Sequence, residues 1–412
     1  MIIPSKTSRL DHRRVVVTGL GVVSSLGIGW QEFWENLIAG KSGISRVTSF
    51  DTSQYERHYA GEVKNFDPTQ FMNQGKAKKI GRTSQFAVVA SQLALTDAEL
   101  NLDDLSAKNV AVCIGTTSGE IGLLEKFGDA CFEKSKTPFP NNHITTFPSS
   151  SLSSHVAYEF KLQGRNSVFS NACASGNYAL GQAFDLIRTG KTDFAFAGGS
   201  DGMSRIVYTG FGRLFAIAPE KCQPFDKDRK GMIPGEGAGV LLVESLENAL
   251  KRKASIYAEI LGYGISCDAQ HMTIPSPAGI AKAIKRSLEN SNISAEAVDY
   301  ISAHGTGTVE NDKAECDGAR SVFGERIKEI PMSSIKSMLG HTMGAAAAFE
   351  SIACCLAITE NKVPPTINLE ELDKDCNIDC VPNNGRRHNV KIALNNSQAF
   401  GGSNVGVVLK NC

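Results

Sequence analysis

Residues 168–176 read VFSNACASG, and they join a short apolar strand to a helix. The residues that follow place apolar side chains at helical spacing until Gly190 interrupts the pattern. Cys173 is therefore predicted at the N-terminus of that helix, where unpaired N–H groups and the positive end of the helix dipole favour a thiolate. We predict that Cys173 is a nucleophile. The alternative, for one cysteine among eleven, is a small buried core residue.

The chain carries a weak internal repeat. The segment VVVTGLGV at 15–22 has a counterpart in AEILGYGI at 258–265, and residues 110–116 correspond to residues 298–306. Short β-branched runs alternate with longer helical stretches, which predicts an α/β fold of mixed sheets covered by helices. The first half is longer, and we expect its excess, with residues 134–154, to form a cap and a dimer contact.

The repeat also relates the cysteine to a histidine. The spacing C-x-x-G-x-x-A at Cys173 recurs as H-x-x-G-x-x-A at His341, and a second glycine-flanked histidine, His304, lies in AHGTGT. If the halves are structural copies, Cys173 and His341 occupy equivalent helix N-termini and face each other. We expect an N-terminal half, residues 1–255, with the cysteine, and a C-terminal half, residues 256–412, with both histidines.

The composition favours a reduced, cytoplasmic location and excludes several partners. Lysine plus arginine and aspartate plus glutamate both total 43, so we expect no binding to nucleic acid or to an anionic membrane. No run of 18 apolar residues occurs, and the first residues lack a signal-peptide core. The cysteines are odd in number and form no C-x-x-C pair, so we expect neither a disulfide scaffold nor a metal site.

A thiolate beside two imidazoles suits acyl transfer followed by carbanion chemistry. The sulfur takes an acyl group, and the N–H groups of His304 and His341 then hydrogen-bond the oxygen of an enolate formed on a second thioester. Lys336, five residues before His341, and Glu350, nine residues after it, are predicted to form a buried charge pair that holds the imidazole. A lysine on the solvated end of a strand is the alternative for Lys336.

At these residues the chain resembles an elongating β-ketoacyl-acyl carrier protein synthase of the thiolase superfamily, similar in pattern to β-ketoacyl synthase II. The likeness runs almost end to end, through VVVTGLG at 15–21, GEGAG at 235–239, HMT at 271–273, VPPTINL at 363–369 and FGGSN at 400–404. It implies the five-layered αβαβα thiolase fold built from two duplicated halves, an obligate dimer, and a decarboxylative condensation of an acyl thioester with a malonyl thioester.

The resemblance also implies roles for single residues. It implies a catalytic triad of Cys173, His304 and His341, a supporting catalytic lysine at Lys336, and an oxyanion hole formed by the backbone N–H groups of Cys173 and Phe400. No cofactor is implied, because the substrates ride on the phosphopantetheine arm of an acyl carrier protein. The residues implied to contact that arm, the malonyl group or the carrier protein are Thr306, Thr308, Thr273, Lys76, Lys78, Lys79 and Arg82.

Two departures from the family pattern bear on specificity. The family commonly reads NSFGFGG where this chain has NSQAFGG at 396–402, so Gln398 and Ala399 make the loop before Phe400 more polar and stiffer. Ser118 lies where the family usually carries a bulky apolar gate at the base of the acyl pocket. Both changes favour an unusual acyl substrate, such as a polyketide or polyene intermediate, and we count Ser118 and Gln398 among the substrate-binding residues.

Other functions remain open on the sequence. Housekeeping fatty-acid elongation uses the same site, and a degradative thiolase shares the fold but would need a second catalytic cysteine near the C-terminus. A non-catalytic subunit that sets chain length typically lacks the cysteine, whereas Cys173 is present. The sequence does not decide between a homodimer and a heterodimer with such a chain-length subunit.

Overall fold

The computed structural model describes residues 12–106, 108–132 and 145–412. The strands are β1 Val15–Ser24, β2 Gly27–Ile28, β3 Ser45–Arg46, β4 Tyr59–Ala60, β5 Val110–Gly115, β6 Asn166–Phe169, β7 Phe194–Asp201, β8 Gly237–Ser245, β9 Ala258–Cys267, β10 Tyr300–Ser302, β11 Met332–Ser333, β12 Lys362–Val363, β13 Arg386–Arg387, β14 Ile392–Ala399 and β15 Ser403–Lys410. The α-helices are α1 Trp30–Ile38, α2 Gln74–Ala77, α3 Arg82–Asp97, α4 Leu102–Ser106, α5 Ile121–Phe132, α6 Ser151–Glu159, α7 Ser175–Arg188, α8 Arg205–Arg213, α9 Leu246–Lys251, α10 Pro277–Ser291, α11 Val309–Phe323, α12 Lys336–Leu339 and α13 Ala346–Glu360.

Two sheets of the same topology form the core. The N-terminal sheet has the order β6-β5-β7-β8-β1 and the C-terminal sheet has the order β11-β10-β14-β15-β9. In each sheet the first three strands are parallel and the last two are added antiparallel. The sheets join where β1 and β9 pair antiparallel over three residues. The duplication expected from the sequence is thus present as a repeated strand order.

Helices cover both sheets and fill the space between them. Helices α7 and α13 contact each other and strands of both sheets, whereas α3 packs on the N-terminal sheet and α10 and α11 pack on the C-terminal sheet. The layers are therefore α, β, α, β and α, which confirms the fold expected from the resemblance. The halves 1–255 and 256–412 stay a proposal, and residues 134–144 of the expected cap lie outside the described residues.

The central helix α13 is apolar on every side, as a helix between two sheets must be. Among the described residues, the segment Met343–Glu360 is long and apolar enough to span a membrane, but 89% of it is buried inside the protein. Its sequence, AAAFESIACCLAITE, places small side chains where α7 and the strands approach. The apolar surface of this helix is therefore used for packing.

The repeat register expected at the site is wrong by three residues. Helix α7 follows a turn in which Ala172 has φ 46°, and helix α13 follows the same kind of turn, in which Met343 has φ 53°. Cys173 therefore corresponds to Gly344, whereas His341 lies three residues earlier, in a bridge to Pro234. The error arose because the G-x-x-A match aligned Gly344 with Gly176, whereas the backbone places Ala347 and Glu350 at the positions of Gly176 and Ala179.

Candidate active site

Cys173 lies in the short turn between β6 and α7. The positive φ of Ala172 turns the chain sharply there, a conformation that costs energy for a residue with a Cβ and is typical of functional sites. The thiol is 7% exposed and lines a cavity of about 500 Å³. The sulfur and one ring nitrogen each of His304 and His341 lie within 4.8 Å of one another. The structure therefore brings the predicted triad together.

The protonation state of Cys173 differs from the sequence expectation. Burial raises the pKa of the Cys173 thiol to about 12, the Lys336 ammonium lowers it, and the carboxylates of Asp201 and Glu350 raise it further. The helix N-terminus and Lys336 favour the thiolate, and burial opposes it. The positive groups near the sulfur therefore stabilise the charge that forms on it during attack.

Both imidazoles are neutral and share one tautomer. Burial holds the pKa of His304 and of His341 well below the ordinary value, and Lys336 lowers both further. The backbone N–H of Met343 donates to His341 Nδ1 at 3.2 Å, and Lys336 Nζ lies 3.4 Å from His304 Nδ1. Because each Nδ1 accepts, each Nε2 carries the proton. The two rings, 5.5 Å apart between centroids, present two N–H donors to one small volume.

Lys336 and Glu350 form the buried ion pair that the sequence predicted. Lys336 Nζ also donates to the carbonyl oxygen of His304 at 2.6 Å. The pair therefore holds His304 rather than His341, because α12 and α13 bring both side chains under the His304 loop. Burial raises the pKa of Glu350 to about 7, and the Lys336 ammonium opposes that shift.

Two buried carboxylates that the sequence reasoning missed support the site. Asp201, at the end of β7, accepts the N–H of Thr117 at 2.7 Å and of Gly344 at 2.7 Å, and so links the two halves behind the triad. Glu315, on the buried face of α11, accepts the N–H of His304 and of Gly305, both at 2.8 Å. An acidic residue at the end of a buried strand, or on an apolar helix face, was the available signal.

The predicted substrate-binding threonines and Gln398 line the cavity. Thr273, Thr306, Thr308 and Gln398 all contribute to its wall, and the hydroxyls of Thr306 and Thr308 are 2.9 Å apart. Phe400 stands at the mouth, 42% exposed, where its ring centroid is 6.0 Å from that of Phe211. These positions are compatible with the predicted contacts to a phosphopantetheine arm. The contacts themselves stay predictions.

Ser118 does not line this cavity. Its N–H and its hydroxyl both lie 3.1 Å from Asp201 Oδ1 and donate to it. The hydroxyl therefore has a structural partner inside the loop that follows β5. The assignment of Ser118 as a gate of the acyl pocket stays a prediction. In the structure its hydroxyl holds the loop to Asp201.

Two residues of the predicted carrier-protein dock, Arg82 and Lys76, form ion pairs within the chain. Arg82 donates to the buried carboxylate of Glu236 at 2.7 Å, and its guanidinium stacks over Phe86 at 4.6 Å. Lys76 pairs with Glu159. Arg82 therefore neutralises the buried carboxylate of Glu236 while its own side chain stays 42% exposed, and its part in a carrier-protein dock stays a prediction. Lys78 and Lys79 are exposed, and neither forms an ion pair with another described residue.

The thiol and the two imidazoles are also a donor set that a soft metal ion would accept. The ammonium of Lys336, 3.4 Å from His304 Nδ1, opposes a further positive charge at this place. The geometry therefore favours a negatively charged oxygen between the imidazoles over a cation.

Two family models match the chain. The model of the β-ketoacyl synthase N-terminal domain matches residues 12–249, and the model of the β-ketoacyl synthase C-terminal domain matches residues 257–370. Among curated proteins, the 3-oxoacyl-acyl-carrier-protein synthase 2 of Synechocystis sp. is 39% identical over 98% of this chain and 99% of its own length.

Two solved structures resemble the whole chain. The first is described as the ishigamide ketosynthase/chain length factor; it has a TM-score of 0.95, is 41% identical, and the match covers 97% of this chain and 100% of the solved one. The second is a type II polyketide ketosynthase with its acyl carrier protein, bound to the hexaketide. It has a TM-score of 0.89 and 34% identity over 97% of this chain and 100% of its own. The chain therefore belongs to the β-ketoacyl synthase family and is an acyltransferase with a Cys-His-His site.

Proposed function

We propose that the enzyme joins an acyl group held on Cys173 to a malonyl thioester, with both thioesters delivered by an acyl carrier protein. The observation that carries this proposal is the pair of buried, neutral imidazoles of His304 and His341, each with a ring nitrogen within 4.8 Å of the sulfur. Two N–H donors fixed before the reaction suit an oxygen that gains negative charge in the transition state. A cysteine hydrolase needs one imidazole that accepts a proton, which neither Nε2 here does.

The first step is thioester exchange. The sulfur of Cys173 attacks the carbonyl carbon of the acyl thioester, the bond to the carrier sulfur breaks, and the proton of Cys173 ends on the carrier thiol. We assign the backbone N–H groups of Cys173 and Phe400 to the oxygen of the tetrahedral intermediate. Because the resting group is a thiol, attack and loss of the proton are coupled, and Lys336 stabilises the charge that forms on the sulfur.

The second step is decarboxylation and condensation. The malonyl carboxylate leaves as carbon dioxide, and its bonding electrons form an enolate whose oxygen accepts hydrogen bonds from Nε2–H of His304 and His341. The C2 carbon then attacks the acyl carbonyl on Cys173, and the sulfur leaves as a thiolate that regains one proton from solvent. The product is a 3-oxoacyl thioester two carbons longer. The depressed pKa of both imidazoles keeps them neutral donors through this step.

We place the enzyme in a specialised polyketide or polyene pathway rather than in fatty-acid synthesis. Gln398 in the cavity wall supports this, as do the similar ketosynthases, one described with a chain length factor and one with a carrier protein and a hexaketide. Housekeeping elongation is the second candidate, supported by the 39% identity to a 3-oxoacyl-acyl-carrier-protein synthase 2. The complete triad disfavours a non-catalytic chain-length subunit, but such a subunit remains our proposed partner, beside a homodimer.

Acyl transfer and decarboxylation can be measured separately. Intact-mass analysis after incubation with acyl-carrier protein should show one acyl adduct, and Cys173→Ala should abolish it. His304→Ala and His341→Ala should keep the adduct while carbon dioxide release from malonyl-carrier protein falls by at least about 100-fold, the usual loss when a donor to a developing oxyanion is removed. An adduct that survives Cys173→Ala, or normal decarboxylation in both histidine variants, would overturn the assignment.

A further inference from the structure

The side chain of Gln398 combines burial, a cavity position and an unpaired oxygen. Gln398 lies near the end of β14, is 3% exposed and lines the cavity that contains Cys173. Its Nε2 donates to Glu315 Oε1 at 3.4 Å, a long bond. Its Oε1 has no hydrogen-bond partner within residues 12–106, 108–132 and 145–412. Among the described residues, only the nitrogen of the Gln398 amide therefore has a hydrogen-bond partner.

Glu315 determines which end of the amide faces it. The carboxylate also accepts the N–H of His304 and of Gly305 and the side-chain N–H of Asn396. All of these contacts donate to carboxylate oxygens, and the ionised form accepts every one of them. A flipped Gln398 amide would place its oxygen against that carboxylate. The nitrogen therefore stays on Glu315, and the carbonyl oxygen remains unpaired at the cavity wall.

A buried carbonyl oxygen without a donor costs stability unless something pairs with it. Asn396, two residues earlier on the same face of β14, has the same link to Glu315 and a similar unpaired Oδ1, but it does not line the cavity. The difference between the two amides is therefore access to a molecule in the cavity. Thr306 and Thr308 also line the cavity and provide hydroxyl groups.

We propose that Gln398 Oε1 is a specificity-determining acceptor that binds a hydrogen-bond donor of the thioester substrate. The donor is an amide N–H of the pantetheine arm or a hydroxyl group on the acyl chain. Saturated, polyene and fully keto acyl chains carry no hydrogen-bond donor. A hydroxyl group on the acyl chain would therefore let the enzyme distinguish its substrate from these three kinds of chain. This proposal rests on the proposed function, since it requires that thioesters enter the cavity and acylate Cys173.

The test measures the second-order rate of Cys173 acylation by intact mass, with two matched pairs of thioesters. The first pair is octanoyl-pantetheine and S-propyl octanethioate, which differ in the amide groups of the arm. The second pair is octanoyl-pantetheine and hydroxyoctanoyl-pantetheine with the hydroxyl at C3, C5 or C7. The wild-type enzyme should prefer the donor-bearing member of one pair by about tenfold, equivalent to about 1.4 kcal/mol. Preference in the first pair assigns the donor to the arm, and preference in the second assigns it to the chain.

Gln398→Met keeps the size of the side chain and removes the acceptor. It should erase the preference by slowing only the donor-bearing thioester, and the free energy of unfolding should stay equal or rise, because a buried unpaired oxygen is removed. The matched control Asn396→Leu should retain the preference. Equal slowing of both members of a pair, or an unchanged preference in Gln398→Met, would overturn the proposal. A wild-type enzyme that no thioester acylates would instead overturn the proposed function.

Discussion

At the scale of single residues, the ammonium of Lys336 organises the charge of the site. It neutralises Glu350, donates to the His304 carbonyl, and lowers the pKa of both imidazoles and of the Cys173 thiol. Each of these effects favours the state that condensation needs, with neutral donors and a sulfur that ionises when it attacks. One buried cation, fixed by one carboxylate, therefore serves the acyl-transfer and the decarboxylation steps together.

The buried carboxylate of Glu315 should make stability depend on pH. Burial raises the pKa of Glu315 to about 7 from an ordinary value of 4.5, and the backbone N–H groups of Gly305 and His304 only partly oppose this. The folded state binds this proton more tightly, so the added stability is complete below about pH 4.5 and is lost as pH rises through 7. Glu315→Gln lacks this dependence. Between pH 4.5 and 8, the wild-type protein should lose up to about 3 kcal/mol relative to the variant.

The measurement is denaturant unfolding of both proteins across this pH range. Glu289→Gln, on the exposed face of α10, is the control and should follow the wild-type curve. A difference between wild type and Glu315→Gln that stays constant with pH would contradict the raised pKa.

At the scale of elements, the two turns before α7 and α13 determine where the reactive groups lie. The turns approach each other in the middle layer, and Asp201 accepts the N–H of Gly344 there at 2.7 Å. The contact leaves no room for side chains: a Cβ on Gly344 would come within 2.5 Å of the Thr116 backbone, and one on Gly176 within 2.8 Å of the Ala348 nitrogen. The glycines in the repeated motif are therefore required by the approach of two backbones.

Gly344→Ala should destabilise the fold severely, because its Cβ would meet backbone rather than a flexible side chain. Overpacking typically costs about 1–3 kcal/mol, and a contact this short should lie at or above that range. Gly122→Ala in α5 is the control, since a Cβ there meets nothing within 4 Å, and it should stabilise the helix by up to about 1 kcal/mol. Thermal unfolding with equal midpoints for the two variants would show that the backbones can separate.

At the scale of the whole molecule, the chain is neutral, and some of its charges form ion pairs between distant parts of the sequence. Lysine plus arginine and aspartate plus glutamate both total 43. Within the predicted dock, Arg82 and Lys76 neutralise Glu236 and Glu159, which leaves Lys78 and Lys79 exposed. Lys78 and Lys79 are therefore the two charges on which the predicted attraction for an acidic carrier protein is best tested.

Reversal of both charges, Lys78→Glu with Lys79→Glu, should lower kcat/KM for carrier-bound thioesters about tenfold at low ionic strength. The loss should shrink as salt is added, because exposed charges are screened over about 10 Å at 0.1 M. Turnover of pantetheine thioesters should not change, since they lack the carrier. Lys282→Glu with Lys285→Glu, on the exposed face of α10, is the matched control. Equal kinetics for both double variants would show that Lys78 and Lys79 are solvated and do not bind the carrier protein.

The sequence alone established the chemistry and the class of fold. Three features carried the prediction: Cys173 after a strand, two glycine-flanked histidines, and an internal repeat. All three can be read from the residues themselves, without knowing what each segment packs against. They were sufficient to predict a layered α/β protein with a Cys-His-His site, and the sheets, the layers and the triad geometry agree. The Lys336–Glu350 pair was also predicted, because both residues lie close to His341 in the chain.

Only the tertiary structure decided the features that depend on distant neighbours. It moved the repeat register by three residues, because the turns before α7 and α13 align Cys173 with Gly344, which the G-x-x-A match had aligned with Gly176. It paired Arg82 with Glu236, 154 positions away, a contact that a local run of basic residues does not predict. It also showed that burial raises the pKa of the Cys173 thiol, which a helix N-terminus read from sequence does not report, because burial is a property of the whole fold.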